Sequence, residues 1–238
     1  MQRYGRSTEI VERGNWWASP VLITLFVVGF VLFGIAAYSY FSESLLYEYD
    51  QPFHQSATRL HEQTDREVLV AANIVNAIPN VGIPLVIIGL SIWWIRHDRY
   101  RPAAMLFLGT LGQFFVFLAV GFAIGRDRPQ LTGAMEFITL PSFPSGHVMT
   151  FVVFCTLALL MALPNFDATW KRWSIISAVF FAALLVGFLR LYLLAHWFTD
   201  IVAGYGLGLI CAVVAYVLVS RYFIEPHSSR ELLEVAPR

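Results

Sequence analysis

The chain has 238 residues, of which 58% are hydrophobic, 16% aromatic and only 13% charged. A water-soluble domain carries about 25% charged residues over its surface, so much of this surface faces something other than water; an ordinary soluble enzyme, a disordered chain and a secreted disulfide scaffold are excluded. The 16 basic residues (Lys171 is the one lysine) balance 16 acidic ones, which leaves no global basic field to attract nucleic acid.

Residues 1–19 are polar, without the short apolar core and cleavage site of a removable signal peptide, and read as a cytoplasmic N-terminal segment. A helix that crosses a bilayer needs about 20 apolar residues. The first such run is 20–41. An acidic loop follows over 42–67, holding Glu43, Glu48, Asp50, Glu62, Asp65 and Glu67, with room for a short helix lying on the membrane. His54 and His61 stand seven apart in it; a solvated helix face accounts for them better than a metal site does. The run 68–95 is longer and interrupted by Pro79 and Pro84. It reads as one kinked span, because neighbours can satisfy the carbonyl that proline frees. The alternative is an interfacial stretch to Asn80 followed by a short span. Asn73, Asn76 and Asn80 form a polar stripe there, suited to interhelical hydrogen bonds or to a path for a lipid headgroup. Further spans cover 103–124, 147–163, 173–194 and 198–220, and 221–238 forms a C-terminal tail. Cys155 and Cys211 each sit inside an apolar run, so no structural disulfide is expected.

Six spans make an all-α bundle over 20–220. Counting Lys and Arg by side gives 11 on the side of both termini and 5 on the other. The richer side is expected to be cytoplasmic. Trp16, Trp17, Trp93, Trp94, Trp170 and Trp173 fall at that same boundary, where interfacial tryptophans belong. A bacterial inner membrane is the simplest setting.

Ionisable groups at membrane depth are costly and mark function. Three clusters lie at the outer end of their helices: Gly125-Arg126-Asp127-Arg128-Pro129 after the third span, Pro144-Ser145-Gly146-His147 opening the fourth, and Arg190 through His196 to Asp200 between the fifth and sixth. Segments far apart in sequence thus converge at one level. The chemistry they suit is phosphoryl transfer. Arginine presents a planar, permanent charge matched to phosphate oxygens. Ser145 and Gly146 at a helix start offer a hydroxyl and unpaired N–H groups at the positive helix end. His196 and Asp200 are spaced i, i+4 and share a helical face; the carboxylate can fix the imidazole tautomer and leave the other nitrogen free to attack. His147 is a second imidazole, suited to protonating a leaving oxygen. No carboxylate cluster of metal-site type lies beside these groups, so a covalent route without metal or other cofactor is expected. Asp127, between two arginines, reads as an ion-pairing loop residue.

These motifs resemble the type 2 phosphatidic acid phosphatase superfamily, whose signature is K-x6-R-P, then P-S-G-H, then S-R-x5-H-x3-D. The second motif is complete as Pro144-Ser145-Gly146-His147, and the third is present as Arg190-x5-His196-x3-Asp200 with Leu189 in place of Ser. In the first, Arg128-Pro129 match but Gly121 stands where the family has Lys. The resemblance covers about half the chain. It implies that His196 is the nucleophile forming a phosphohistidine, that Asp200 orients it and that His147 is the general acid. Arg128, Arg190, Ser145 and the Gly146 backbone would hold the phosphoryl oxygens, with Arg126 as a candidate substitute for the missing lysine. Gly121 also fits a packing role, in a Gly121-x3-Gly125 small-residue contact like Gly204-x3-Gly208.

The expectation is an integral membrane phosphatase acting on a membrane lipid phosphate at the non-cytoplasmic surface: a polyprenyl diphosphate, phosphatidylglycerophosphate, phosphatidate or diacylglycerol diphosphate. A lipid phosphotransferase uses the same site with an alcohol as acceptor. A transporter with an anion-binding mouth is a third reading, weakened because transport sites lie near the bilayer midplane.

Overall fold

The computed structural model describes residues 19–129 and 140–223. Most of the two terminal segments, with Trp16 and Trp17, lies outside the described residues, as does the side chain of Asn80. Among the described residues the fold is all-helical. Helix α1 spans Pro20–Ser42, and a 3-10 turn, Leu45–Tyr49, leads to the short helix α2, Asp50–Glu62. Helices α3 (Arg66–Ala77) and α4 (Ile83–Arg96) follow, then α5 (Tyr100–Ile124), α6 (Gly146–Ala162), α7 (Thr169–Tyr192) and α8 (Phe198–Tyr222).

Five of these, α1, α5, α6, α7 and α8, are long and apolar enough to cross a membrane. The segment expected as one kinked span is α3, a π turn over Ile78–Gly82, and α4. Pro79 and Pro84 lack the N–H that an α-helix uses, so the backbone passes through a wider hydrogen-bond register there. The residues flanking the turn keep right-handed helical angles, so the path continues as a helix. At 14 residues, α4 alone falls short of the other five.

Helix α8 is the centre of the bundle. Over its most apolar stretch 56% of the residues are buried, against 17–33% for the other four. Small residues bring its neighbours close. A Cβ at Gly29 would lie 2.8 Å from the Gly206 carbonyl, which seats α1 directly on α8. A Cβ at Gly204 would lie 2.9 Å from the Ser145 carbonyl, and one at Gly208 2.9 Å from the Val152 Cβ, which seats α6 on the same helix. The Gly204-x3-Gly208 contact read from sequence is therefore present. Leu106 of α5, Val153 and Leu157 of α6 and Val213 of α8 form the shared core. Outward faces carry exposed apolar side chains such as Phe30, Phe115, Phe181 and Leu218, as lipid contact requires.

Gly121 and Gly125 do not form the paired contact expected of them. A Cβ at Gly121 would lie 3.3 Å from the Phe143 carbonyl, so this glycine packs on the loop before α6. A Cβ at Gly125 would meet nothing within 4 Å; this glycine caps α5 in the left-handed region at φ 65°, a conformation glycine adopts without a Cβ penalty. That turn directs the following arginines across the end of the bundle.

Candidate active site

The ends of α5, α6, α7 and α8 meet at one end of the bundle. The Ser145 N–H donates to the Asp200 carbonyl at 3.0 Å, joining the starts of α6 and α8, and the Ser142 N–H donates to the Arg126 carbonyl at 2.7 Å. After α7 the chain turns through Leu194 at φ 54°. The Ala195 N–H returns to the Arg190 carbonyl at 3.1 Å, and this tight turn delivers His196 next to Arg190.

His196 is 3% exposed. Its Nδ1 lies 3.4 Å from Asp200 Oδ2, and its Nε2 lies 3.4 Å from Arg128 Nη1. A guanidinium can only donate, so the second contact requires a lone pair on Nε2. The proton then sits on Nδ1 and points at the carboxylate. Burial, followed by the charges of Arg190 and Arg128, holds the imidazole well below its ordinary pKa. Its Nε2 is turned toward Arg128 and its Nδ1 toward Asp200.

Arg128 is fixed by carbonyls: its Nε donates to Leu140 at 3.2 Å and its Nη1 to Ala195 at 3.0 Å. Arg190 is 1% exposed; its Nη1 donates to Asn76 Oδ1 at 2.8 Å. Arg190 Nε and the Ser145 hydroxyl have no hydrogen-bond partner among the described residues. Buried polar atoms are normally satisfied; Arg190 lines a cavity here, and Ser145, fully buried, adjoins the lining residue Gly146. Ser145 precedes α6 in extended conformation, with the Gly146 backbone beginning the helix.

A cavity of about 510 Å³ opens beside these groups. Arg128, Gly146, His147, Arg190 and His196 line it where the helix ends meet, and Leu111 and Phe107, several turns back along α5, line it together with Ile87 and Ile88 of α4. Thr110, Gln113 and Thr150 also face it, with the Thr150 hydroxyl donating to Gln113 Oε1 at 3.3 Å. The cavity therefore grades from cationic through neutral polar to apolar.

Arg126, the expected substitute for lysine in phosphate binding, is placed away from the cavity. It does not line the cavity. Its Nη1 donates to Asp200 Oδ1 and to Thr199 Oγ1, each at 2.6 Å, and its Nη2 to Asp50 Oδ2 at 2.6 Å. The rings of Tyr40, Trp197 and Tyr47 lie 4.7–5.7 Å from the guanidinium carbon. The physical reason is Asp50: two buried carboxylates need a cation between them, and Arg126 provides it. Asp200 is completed by the Ser142 hydroxyl on Oδ2 and the Trp197 N–H at 2.9 Å.

Asp50, Ser142, Thr199, Asn76 and Gln113 were not among the expected site residues. Asn76 belonged to the polar stripe read on the second apolar run, and its partner is interhelical as that reading allowed. Asn73 instead bonds the Leu69 carbonyl of its own helix. Ser142, Asp50 and Thr199 gave no signal beyond ordinary loop and helix-start composition. His54 packs against Trp197 and His61 bonds the Tyr192 carbonyl, so the two histidines serve separate packing contacts. Asp127 is exposed, and its carbonyl accepts from Trp197 Nε1 at 3.0 Å.

A family model for the PAP2 superfamily matches residues 101–224. Phosphatidylglycerophosphatase B of Bacillus subtilis (strain 168) is 29% identical over 164 residues, which cover 68% of this chain and 78% of that protein. Among solved structures, a transmembrane PAP2 type phosphatidylglycerolphosphate phosphatase from Bacillus subtilis superposes with a TM-score of 0.64 at 18% identity, over 91% of this chain and 98% of the other.

Proposed function

The chain belongs to the PAP2 superfamily, whose model spans more than half of it, and we infer that it is an integral membrane lipid phosphatase working through a phosphohistidine. The observation that carries this reading is His196: its Nε2 lies 3.4 Å from Arg128 Nη1 at the cavity while its Nδ1 lies 3.4 Å from Asp200 Oδ2, an arrangement suited to an Nε2 lone pair with the proton on Nδ1. In the first step the Nε2 lone pair forms a bond to phosphorus as the bond to the lipid oxygen breaks, and His147 gives that oxygen its proton. Water then attacks phosphorus, His147 takes the water's proton, and the N–P bond breaks to release phosphate. Arg128, Arg190, the Ser145 hydroxyl and the Gly146 N–H hold the phosphoryl oxygens, where permanent charge stabilises the transition state without a metal ion.

The substrate reading follows from the graded cavity. A phosphate monoester fits the cationic end, an uncharged polar linkage fits Thr150 and Gln113, and the chains reach the apolar end and the bilayer. Phosphatidylglycerophosphate is the first candidate, given the relatives; phosphatidate and polyprenyl diphosphates are the others. The six-span layout fits as well. The path from Arg66 to Arg96 is 31 residues of helix, about 46 Å at 1.5 Å per residue, longer than a hydrocarbon core of about 30 Å. With that sixth crossing both termini are cytoplasmic and the site faces the other side, following the loop arginines.

The decisive experiment is phosphate release by the purified protein over a panel of these lipids, with excess chelator throughout. Turnover in chelator, inhibited by vanadate, is the expected result. Turnover that requires an added divalent ion overturns the metal-free route, and no release from any lipid overturns the enzyme. Sidedness is checked with single cysteines at Gln63 and His97 in a variant lacking Cys155 and Cys211. An impermeant thiol reagent on intact cells is expected to reach position 63 and miss position 97; the reverse inverts the topology.

A further inference from the structure

The cavity accounts for Arg128 and Arg190, but nothing in the reaction so far uses the network behind Asp200. Asp50 opens helix α2, about 150 residues away in sequence, yet it is 3% exposed and fully engaged. Its Oδ1 accepts the Thr199 N–H at 2.9 Å, and its Oδ2 accepts the Thr199 hydroxyl at 2.8 Å and Arg126 Nη2 at 2.6 Å. Thr199 stands in the first turn of α8, where backbone N–H groups have no partner within the helix. A carboxylate there satisfies one of them and complements the positive helix end. Asp200 is the next residue, so whatever fixes Thr199 fixes the carboxylate that holds His196.

Charge balance gives the second half of the argument. Arg126 stands between two buried carboxylates, each 2.6 Å from the guanidinium, so the cluster keeps one net negative charge beside the ring. Without the charge on Asp50, Arg126 would be matched by Asp200 alone. Asp200 would then be a weaker partner for the positive charge that grows on the imidazole as Nε2 bonds phosphorus. Neither Asp50, Arg126 nor Thr199 lines the cavity, and the polar side-chain atoms of all three are engaged with one another and with Asp200.

From this geometry we propose that Asp50 and Arg126 are positioning residues: helix α2 acts through them to hold Asp200 on the nucleophile, and their effect falls on the rate of phosphoryl transfer and not on substrate binding. The proposal rests on the reading of His196 as the nucleophile. The full chain in lipid nanodiscs is assayed for kcat, KM and competitive inhibition by inorganic phosphate, with rapid-quench trapping of acid-labile phosphate on the protein. Asp50→Asn keeps size and one acceptor oxygen for the Thr199 N–H while removing the charge and the acceptor that meets Arg126; Arg126→Lys keeps charge but cannot span three acceptors. Both are expected to lower kcat and the trapping rate by about 10–100-fold, as small misplacements of a reacting group do, with KM and the phosphate inhibition constant within about twofold of wild type. A purely structural role would lower the active fraction and leave the trapping rate per active site unchanged, and that result overturns the proposal. So does a phosphate inhibition constant that rises in step with the loss of kcat in Arg126→Lys, which would make Arg126 a phosphate ligand. If wild type traps no acid-labile phosphate and His196→Ala retains turnover, the nucleophile reading itself fails and the proposal with it. Trapping in wild type with unaltered trapping in Asp50→Asn removes the tether alone.

Discussion

Arg126 and Arg190 both stand near His196 and meet opposite kinds of partner. Arg190 is held by a neutral oxygen of Asn76 and has an unpartnered Nε beside the cavity. Arg128 is likewise held by main-chain carbonyls. Both are thus held by neutral oxygens. Arg126 meets two carboxylates, so its charge is already matched and its fork serves geometry. On the proposed reading, the same residue type is a ligand where its neighbours are dipoles and a brace where they are anions. The deciding variable is the partner, and each partner comes from a distant segment.

The sharpest way to break this division is at the nitrogen between the two regions. His196→Ala is expected to abolish turnover, and Asp200→Asn to lower kcat by orders of magnitude through loss of tautomer control; both are read from steady-state rates with folding checked by size-exclusion chromatography. Substantial activity in His196→Ala would remove the axis on which the comparison turns. Next in size is the open side. Arg190→Ala is expected to lower kcat/KM by about 100–1,000-fold, given 1.5–3 kcal/mol for a charged hydrogen bond and more in the transition state. Unlike Arg126→Lys, it is expected to weaken inhibition by inorganic phosphate, because its charge faces the ligand. An unchanged inhibition constant would erase the distinction between the arginines.

A smaller effect tests what holds Arg190. Asn76→Ala removes one neutral acceptor and leaves the charge, so a loss of about tenfold in kcat/KM is expected, with Asn76→Asp worse than Asn76→Gln because a carboxylate would match the charge as Asp50 matches Arg126. Equal rates in the two variants would show that matching is irrelevant at this position. The smallest effect is on stability. His196 is held below its ordinary pKa, so the unfolded chain takes up a proton near pH 6.5 that the native state refuses. This contribution is present above that pH and is lost as pH falls below it. Thermal unfolding in nanodiscs is expected to weaken from pH 7 to pH 5 more in wild type than in His196→Asn; parallel curves would place a charged ring in the native site.

Much of this was legible in the residues. Runs of about 20 apolar residues specify crossing helices in lipid, because backbone groups there have no partner outside the segment. Arg128, His147, Arg190 and His196 share motifs of fixed spacing at the ends of those runs, and all four line one cavity. The interruption by Pro79 and Pro84 was visible too, since a missing N–H acts locally; that it takes the form of a π turn between α3 and α4 depended on the packing around it.

What the sequence could not determine is pairing. Arg126 stands two residues from Arg128 and looked like a second phosphate cation. Only the folded chain brings Asp50 to 2.6 Å from it, and Asp50 was one of six acidic residues in its loop. Local propensity and periodicity act over a few residues, whereas a buried carboxylate selects its cation from whatever the bundle brings within reach. Tertiary structure therefore decided which arginine meets carboxylates and which meets a neutral oxygen.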